Sequence, residues 1–346
     1  MGVPFKHRIV TGFTVGAIVM FGLLCLRLGP GDFGWALRQA NLLAHGKDPY
    51  SSAVGFELVP YPLTTILFAL PFLMFNAVVA GALFAGISSG LLAFGITQGG
   101  RHRLLVFLSY PFWSAILIVQ WSPLLMAASL LPWLFPVVIA KPNLGIAVAL
   151  KSGRRVGLIV AGILVAVTIV LRPNWPLTWW RQTAGYQHFF PITTGLGVLL
   201  LLLVPLLPSD TDARFLLLMA FVPQRWFYDA LLLWLVPATT SEFLITGVVS
   251  WGSALLTPPT RTIHQVAVLS VCFNYLPMLV VVLVRRAVCK SGTVGSGGWR
   301  ALRMRIRERQ LSTMDLVLGK IGSRPKTVIS VRRAEAAGRR SNRWLR

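Results

Sequence analysis

The chain has 346 residues, 55% of them hydrophobic and 12% charged, with a mean hydropathy of +0.70 and a formal net charge of +23. A soluble domain carries about a quarter charged residues, so the composition excludes an ordinary soluble enzyme and points to apolar segments in lipid. The positive charge does not mark a nucleic-acid binder either. It is concentrated at one end, where seventeen Lys and Arg from Arg285 onward face only Glu308, Asp315 and Glu335, without the interleaved aromatic residues that single-strand binders need.

A helix needs about 20 apolar residues to cross the hydrocarbon core. Ile9–Leu28, Leu104–Val119, Val156–Leu171 and Val266–Val284 approach or reach that length. The runs lack strict alternation, which predicts helices rather than a barrel. The expected fold class is therefore all-α, a multi-pass transmembrane helical bundle of about 8–10 spans by the ~20-residue criterion. The expected domains are a helical membrane domain over 1–290 and a basic cytoplasmic tail over 291–346, partly disordered.

In chain order, MGVPFKHR and the apolar run after it predict a retained first helix with its N-terminus inside, since no small-residue cleavage site follows Leu28. An outer loop over 29–60 follows, holding Asp32, Asp48 and Glu57. Within it Phe33–His45 reads as an amphipathic surface helix ending in a Gly-Lys-Asp-Pro-Tyr turn. Leu63–Thr97 is too long for one upright span and short for two, and breaks near Pro71–Asn76. Arg101 and Arg103 favour a cytoplasmic loop, after which Leu104–Val119 crosses outward and delivers Gln120 to the outer side.

Pro123, Pro132, Pro136 and Pro142 make straight spans unlikely over 121–150, because proline removes a donor and clashes with the preceding turn. Broken or re-entrant helices are expected there, a form tolerated only where protein or a wet cavity covers them. Lys151–Arg155 reads as a cytoplasmic loop. The aromatic run around Trp175, Trp179, Trp180 and Tyr186 reads as an outer interfacial belt. A further broken segment carries Arg225 and Asp229 just after Pro223. The tail opens on a Gly/Ser linker, and its basic stretch favours anionic lipid headgroups.

Ionisable groups at the membrane's outer edge are costly unless used or paired. Asp32 is either a general base toward an acceptor hydroxyl or the N-cap of the helix that follows it. Lys141 either holds a phosphate as a point charge or snorkels to the interface. Arg225 and Asp229 are spaced to pair with each other, and His188 is either an interfacial polar residue or a catalyst. Cys25, Cys272 and Cys289 suit small core positions rather than a disulfide framework. No metal-ligand cluster, phosphate loop or nucleotide-binding glycine pattern is visible.

Asp32, followed by ALRQANLLAHGKDPY and VPYPLTTILFALPF, resembles the opening of the polyprenyl-phosphate-dependent glycosyltransferases of the GT-C superfamily. The likeness is to the bacterial mannosyltransferase-like family, with its Gly-x-Asp-Pro-Tyr turn (Gly46–Tyr50) and its Tyr-Pro-Pro-Leu step (Tyr61, Pro62, Leu63). Gln120, the Lys141-Pro142 step and the segment from Pro223 to Pro237 also resemble family features. Leu63 stands where the family has a second proline, and Gln120 and Lys141 are only 21 residues apart, as in a shortened or degenerate member.

The resemblance implies a GT-C-like bundle in the bacterial inner membrane with both termini cytoplasmic. It implies an inverting transfer of a mannose-like sugar from a polyprenyl-phosphate donor on the outer face, with no cofactor and no metal. Asp32 matches the family's base, and Lys141 and Arg225 would face the phosphate, with Gln120, Asp48, Tyr50, Tyr61 and His188 as further substrate contacts. The implied partners are membrane lipid and the lipid-linked donor. The alternative from the residues alone is a non-catalytic membrane protein, either a transporter of lipid-linked or small substrates or a subunit of a membrane complex.

Overall fold

In the computed structural model, residues 3–50, 61–257 and 262–290 are described. The expectations for Glu57 and for the basic tail lie outside these residues. Among the described residues the protein is all-helical, without a β-strand beyond one isolated bridge between Phe189 and Gln224.

The first helix, α1 (Phe5–Cys25), is followed as expected by the amphipathic α2 (Phe33–Ala44), which buries Phe33, Ala36, Leu37, Gln39 and Ala40. The long apolar stretch after it resolves into the short α3 (Leu63–Ala69), a 3-10 turn over Leu70–Met74, and the full-length α4 (Ala77–Ile96). Asn76 starts α4 by accepting the Val79 N–H at 3.0 Å. Against α4, α1 packs backbone to backbone. A Cβ on Gly16 would lie 2.8 Å from the Gly86 carbonyl, and one on Gly90 the same distance from that of Gly12. Small residues permit this approach between apolar helices.

Leu104–Val119 does not form the single crossing expected. Arg101–Leu108 is 3-10, and α5 (Tyr110–Leu117) starts afresh at Ser109 with Pro111 in its first turn. Next come α6 (Ser122–Leu130), a 3-10 segment over Pro132–Ala140 containing Pro136, and α7 (Pro142–Ser152). The apolar α8 (Arg155–Leu171) meets α9 (Trp175–Thr183) at a 98° bend. A 3-10 segment over Gly195–Leu206 leads to α10 (Thr211–Phe221), and another over Phe227–Leu235 to α11 (Thr240–Ser250) and the short α12 (Gly252–Leu255). Finally α13 (Ile263–Ser270) runs through a π-turn at Val271–Tyr275 into α14 (Leu276–Lys290). The wider turn precedes Pro277, which has no N–H to give a regular helix.

By length and composition three helices can cross a membrane: Phe5–Cys25, Ala77–Gly99 and Ile263–Val288. The bent α8–α9 pair makes a fourth if it is one span. This is fewer than the 8–10 crossings expected, because proline and glycine cut the remaining apolar sequence into segments of 12 residues or fewer. Helix α8 presents Val156, Ile159, Ile163 and Val170 outward. An exposed apolar face of this kind suits lipid rather than water.

Candidate functional site

Four chain segments that are remote in sequence bring their polar groups together. The first is the turn after α1. Gly31 has φ +51°, and a Cβ there would collide with the Ile118 carbonyl. The bare backbone thus packs against the end of α5, and Asp32 N–H donates to Ile118 O at 2.8 Å. Asp32 stands at the start of α2, but its carboxylate makes no capping bond. Instead Oδ2 accepts a short hydrogen bond from Gln120 Nε2, so the capping alternative is not realised. Among the described residues Oδ1 takes no hydrogen bond.

Gln120 is aimed by an unusual helix end. Val119 has φ +51°, a conformation that glycine adopts freely and a β-branched residue only under strain. Val119 N–H bonds Ile116 O at 3.1 Å and Gln120 N–H reaches back to Ala115 O at 2.8 Å. Strain of this kind, on the order of 1–3 kcal/mol, persists where surrounding structure imposes it. Gln120 is 2% exposed.

Lys141 opens α7, with Pro142 at the first helical position. The chain before it is held by two hydroxyls from the start of α3. Thr64 Oγ1 donates to Ile139 O at 2.9 Å, and Thr65 Oγ1 donates to Ala140 O. Lys141 Nζ lies 2.6 Å from Asp229 Oδ1, 3.4 Å from Gln120 Oε1, and 4.7 Å from the centre of the Tyr228 ring.

The fourth segment follows α10. Here the expected Arg225–Asp229 side-chain pair is corrected. Arg225 is not helical, so the i, i+4 spacing carries no helical geometry. Its backbone N–H donates to Asp229 Oδ2 at 2.9 Å, while its guanidinium stacks 4.4 Å above the Tyr186 ring. The loop is positioned by paired backbone bonds of 2.8 Å between Gln224 and Phe189, and by Asn143 Nδ2 donating to Pro223 O at 2.7 Å.

Burial pushes the Asp32 carboxyl above the usual aspartate range. Arg225, then Lys141, then the Gln120 hydrogen bond oppose that shift, and Asp229 adds to it. Asp32, Gln120, Lys141, Arg225 and Asp229 thus form one electrostatic unit, with Tyr61 and Tyr228 as neutral phenols beside it. Burial raises both phenols well above their ordinary value.

The remaining residues singled out from the sequence play supporting parts. Asp48 is exposed and closes its turn by accepting Tyr50 N–H at 3.0 Å. Tyr50 is buried, its hydroxyl donating to Tyr61 O at 3.0 Å while its own carbonyl accepts from Gln182 Nε2 at 2.7 Å. Tyr61 N–H donates to Gln39 Oε1 at 3.3 Å. The Gly46–Tyr50 turn therefore braces the chain leading into α3. His188 is exposed, held 2.8 Å from Tyr186 O and edge-on to Phe190, and makes no bond to the cluster. The sequence offers Asp229 only as a pairing partner of Arg225, not as the partner of Lys141. Thr64 and Thr65 were not singled out, although their adjacency to Tyr61 and Pro62 is the one local signal they offer.

A second charged layer sits at the opposite ends of α7 and α10. Lys151 meets Asp212 at 2.8 Å, and Arg285 reaches Asp212 at 3.2 Å as well as Glu242. Arg286 pairs with Asp210 at 3.2 Å. At 1.5 Å per residue, Lys141 and Lys151 are separated by roughly 15 Å along α7. Among the described residues no three of His, Cys, Asp or Glu come together in a way that could hold a metal ion. An open apolar cavity of about 300 Å³ lies elsewhere, lined by Leu105, Leu108, Trp113, Phe243, Leu244, Gly247, Val248 and Trp251.

Compared with known proteins, the chain matches no family model, no curated protein and no solved structure.

Proposed function

We propose that the protein is a membrane glycosyltransferase of the GT-C type. It would move a mannose-like sugar from a polyprenyl-phosphate donor to an acceptor hydroxyl on the extracytoplasmic face. The observation that carries this reading is the direct linkage of Asp32 through Gln120 to Lys141. It sets a carboxylate, one oxygen of which takes no hydrogen bond among the described residues, beside the Lys141 ammonium, with Arg225 acting on the same carboxylate electrostatically. Asp32 takes the proton of the acceptor hydroxyl as that oxygen forms its bond to the anomeric carbon. The sugar–phosphate bond breaks, and its electron pair leaves on the phosphate, whose charge Lys141 and Arg225 stabilise in a poorly solvated setting.

Under this reading the protein lies in a bacterial inner membrane with both termini and the Lys151–Asp212–Arg285 layer in the cytoplasm. The short segments over 122–152 then act as broken helices that carry Lys141 to membrane depth. The test is transfer of mannose from polyprenyl phosphomannose in membranes containing the full-length chain. Transfer lost in Asp32→Asn at equal expression supports the reading, and retained transfer removes Asp32 from the chemistry.

The second reading, a non-catalytic membrane subunit or transporter, draws on the Lys141–Asp229 pair, which already neutralises the ammonium. It predicts no transfer by the wild-type chain with any polyprenyl-phosphate sugar.

A further inference from the structure

The charged layer at the far end of α7 from Lys141 carries one cation in surplus. Lys151 and Arg285 share Asp212, and Arg285 also takes Glu242. Arg103 feels the same three groups, Asp212, Arg285 and Glu242. Among the described residues, however, the ion pairs of both carboxylates go to Lys151 and Arg285 rather than to Arg103. Arg103 Nε is buried without a hydrogen-bond partner. Its guanidinium lies folded on bare backbone, where a Cβ on Gly99 would collide with it. Arg286 and Asp210 pair off beside it, so Arg103 is the positive charge left over. A buried charge in that state is unfavourable until an anion meets it.

The open apolar cavity of about 300 Å³ begins beside this layer. Its walls are the 3-10 segment Arg101–Leu108 and helix α11. Two hydrogen bonds clamp these walls at their ends. His102 Nε2 donates to Ala238 O at 3.0 Å, and Trp251 Nε1 donates to Leu108 O at 2.8 Å. Between the clamps Leu105, Phe243 and Gly247 line an open cleft, with Leu244 and Val248 exposed at its edge. Leu105 lies just beyond Arg103, and Phe243 directly follows Glu242. Charged and apolar ends are therefore continuous along both walls. From Glu242 to Trp251 the helix rises roughly 14 Å, about half of a ~30 Å hydrocarbon core.

We propose that this cleft is a binding site for one anionic phospholipid, with its phosphodiester on Arg103 and an acyl chain between the 3-10 segment and α11. The head group brings the one negative charge that the layer lacks, as basic pockets between membrane helices do for anionic lipids. The chain covers apolar surface that the two walls leave open. A zwitterionic lipid adds no net negative charge, and a free phosphodiester leaves the cleft unfilled. The site shares no residue with the Asp32 cluster and stands whether or not the protein transfers sugar.

The test is native mass spectrometry of the full-length protein, released from detergent with increasing phosphatidylglycerol or with phosphatidylcholine of the same acyl chains. The wild-type chain should bind its first phosphatidylglycerol about tenfold or more tightly than phosphatidylcholine, the effect of one charge-assisted hydrogen bond. Arg103→Gln should erase that preference. Gly247→Leu fills the cleft at a position where an added Cβ meets nothing within 4 Å. It should weaken the first phosphatidylglycerol by about tenfold with the fold intact, and it decides the matter if Arg103→Gln does not fold.

Equal binding of the two lipids by the wild-type chain overturns the site. So does a phosphatidylglycerol affinity unchanged in either folded variant, the result that binding at the basic tail would give. Glycerophosphoglycerol, the same head group without chains, should not displace the bound lipid at matched concentration. Displacement would show that the cleft takes no part, and overturns the proposal as well.

Discussion

Lys141 and Asp229, 88 residues apart in sequence, meet at 2.6 Å with the Asp229 side chain 1% exposed. The contact joins the start of α7 to the segment after α10, so one bond sets the distance between two of the four strands of chain that build the site. It also holds Arg225 in place, because the second oxygen of Asp229 takes the Arg225 N–H.

A buried pair of this kind is costly to split. Removing one partner leaves an uncompensated charge, typically destabilising by about 3–5 kcal/mol. Asp229→Leu and Lys141→Met are each expected to lower the melting temperature sharply in detergent. The double variant should recover most of the loss, since two apolar side chains need no partner. Additive losses in the double variant would show that the two residues act separately.

Asp32 should respond to substitution in opposite ways for activity and for stability. Its replacement by Asn should reduce sugar transfer by about 10²–10⁴-fold, the usual contribution of a general base. The folded-state carboxyl is raised by burial, so its contribution to stability is complete below the unfolded value and is lost as pH rises through the folded one. Asn carries no such penalty. The variant should therefore melt above wild type at neutral pH, with the gap closing as pH falls toward 3.8, the ordinary aspartate value. A pH-independent gap would contradict this.

Gly31→Ala tests the docking of the first turn. Both φ +51° and the collision with Ile118 O oppose a side chain, and a substitution at an incompatible backbone conformation destabilises by more than about 1 kcal/mol. Activity should fall with stability, because Asp32 is the next residue. Gly29→Ala, where a Cβ meets nothing within 4 Å, is the control and should melt within a degree or two of wild type.

Glu242 reports on the second charged layer. Burial alone would raise its carboxyl, but Arg285 and the Ala238 and Thr239 N–H groups outweigh that and hold it below the usual glutamate value. Its stabilising contribution is present above 4.5, the ordinary value, and is lost as pH falls through the folded one. Glu242→Gln should cost about 1–3 kcal/mol at neutral pH. Its melting temperature should fall less steeply than that of wild type below pH 4.5. Parallel curves would assign acid sensitivity to other carboxylates.

Parts of this were legible from residue order. Helix α1 and the last span announce themselves by unbroken apolar runs and α2 by its amphipathic pattern, and the break near Pro71–Asn76 is where α3 and α4 part. Asp32, Gln120, Lys141 and Arg225 were each identifiable as polar groups in apolar surroundings. Their mutual arrangement was not. The spacing of Arg225 and Asp229 reads as a helical pair, but Arg225 lies outside any helix, directly after the Phe189–Gln224 bridge. Nothing local to Val119 announces a left-handed conformation, since valine disfavours it. Only the packing of Gly31 on Ile118 and the return bond from Gln120 to Ala115 account for that turn.

The sequence by itself determined that the chain is helical, that some of its helices are long and apolar enough to cross a membrane, and where its positive charge lies, because these depend on composition and run length alone. It also supplied a carboxylate and cations in an apolar chain. The tertiary structure decided which of them touch. Asp32 became the hydrogen-bond partner of Gln120, which in turn accepts from Lys141, instead of a helix cap, and Asp229 became the side-chain partner of Lys141 rather than of Arg225. Such choices follow from the burial of charges, whose energy depends on the distance between groups brought together by folding rather than on their order along the chain.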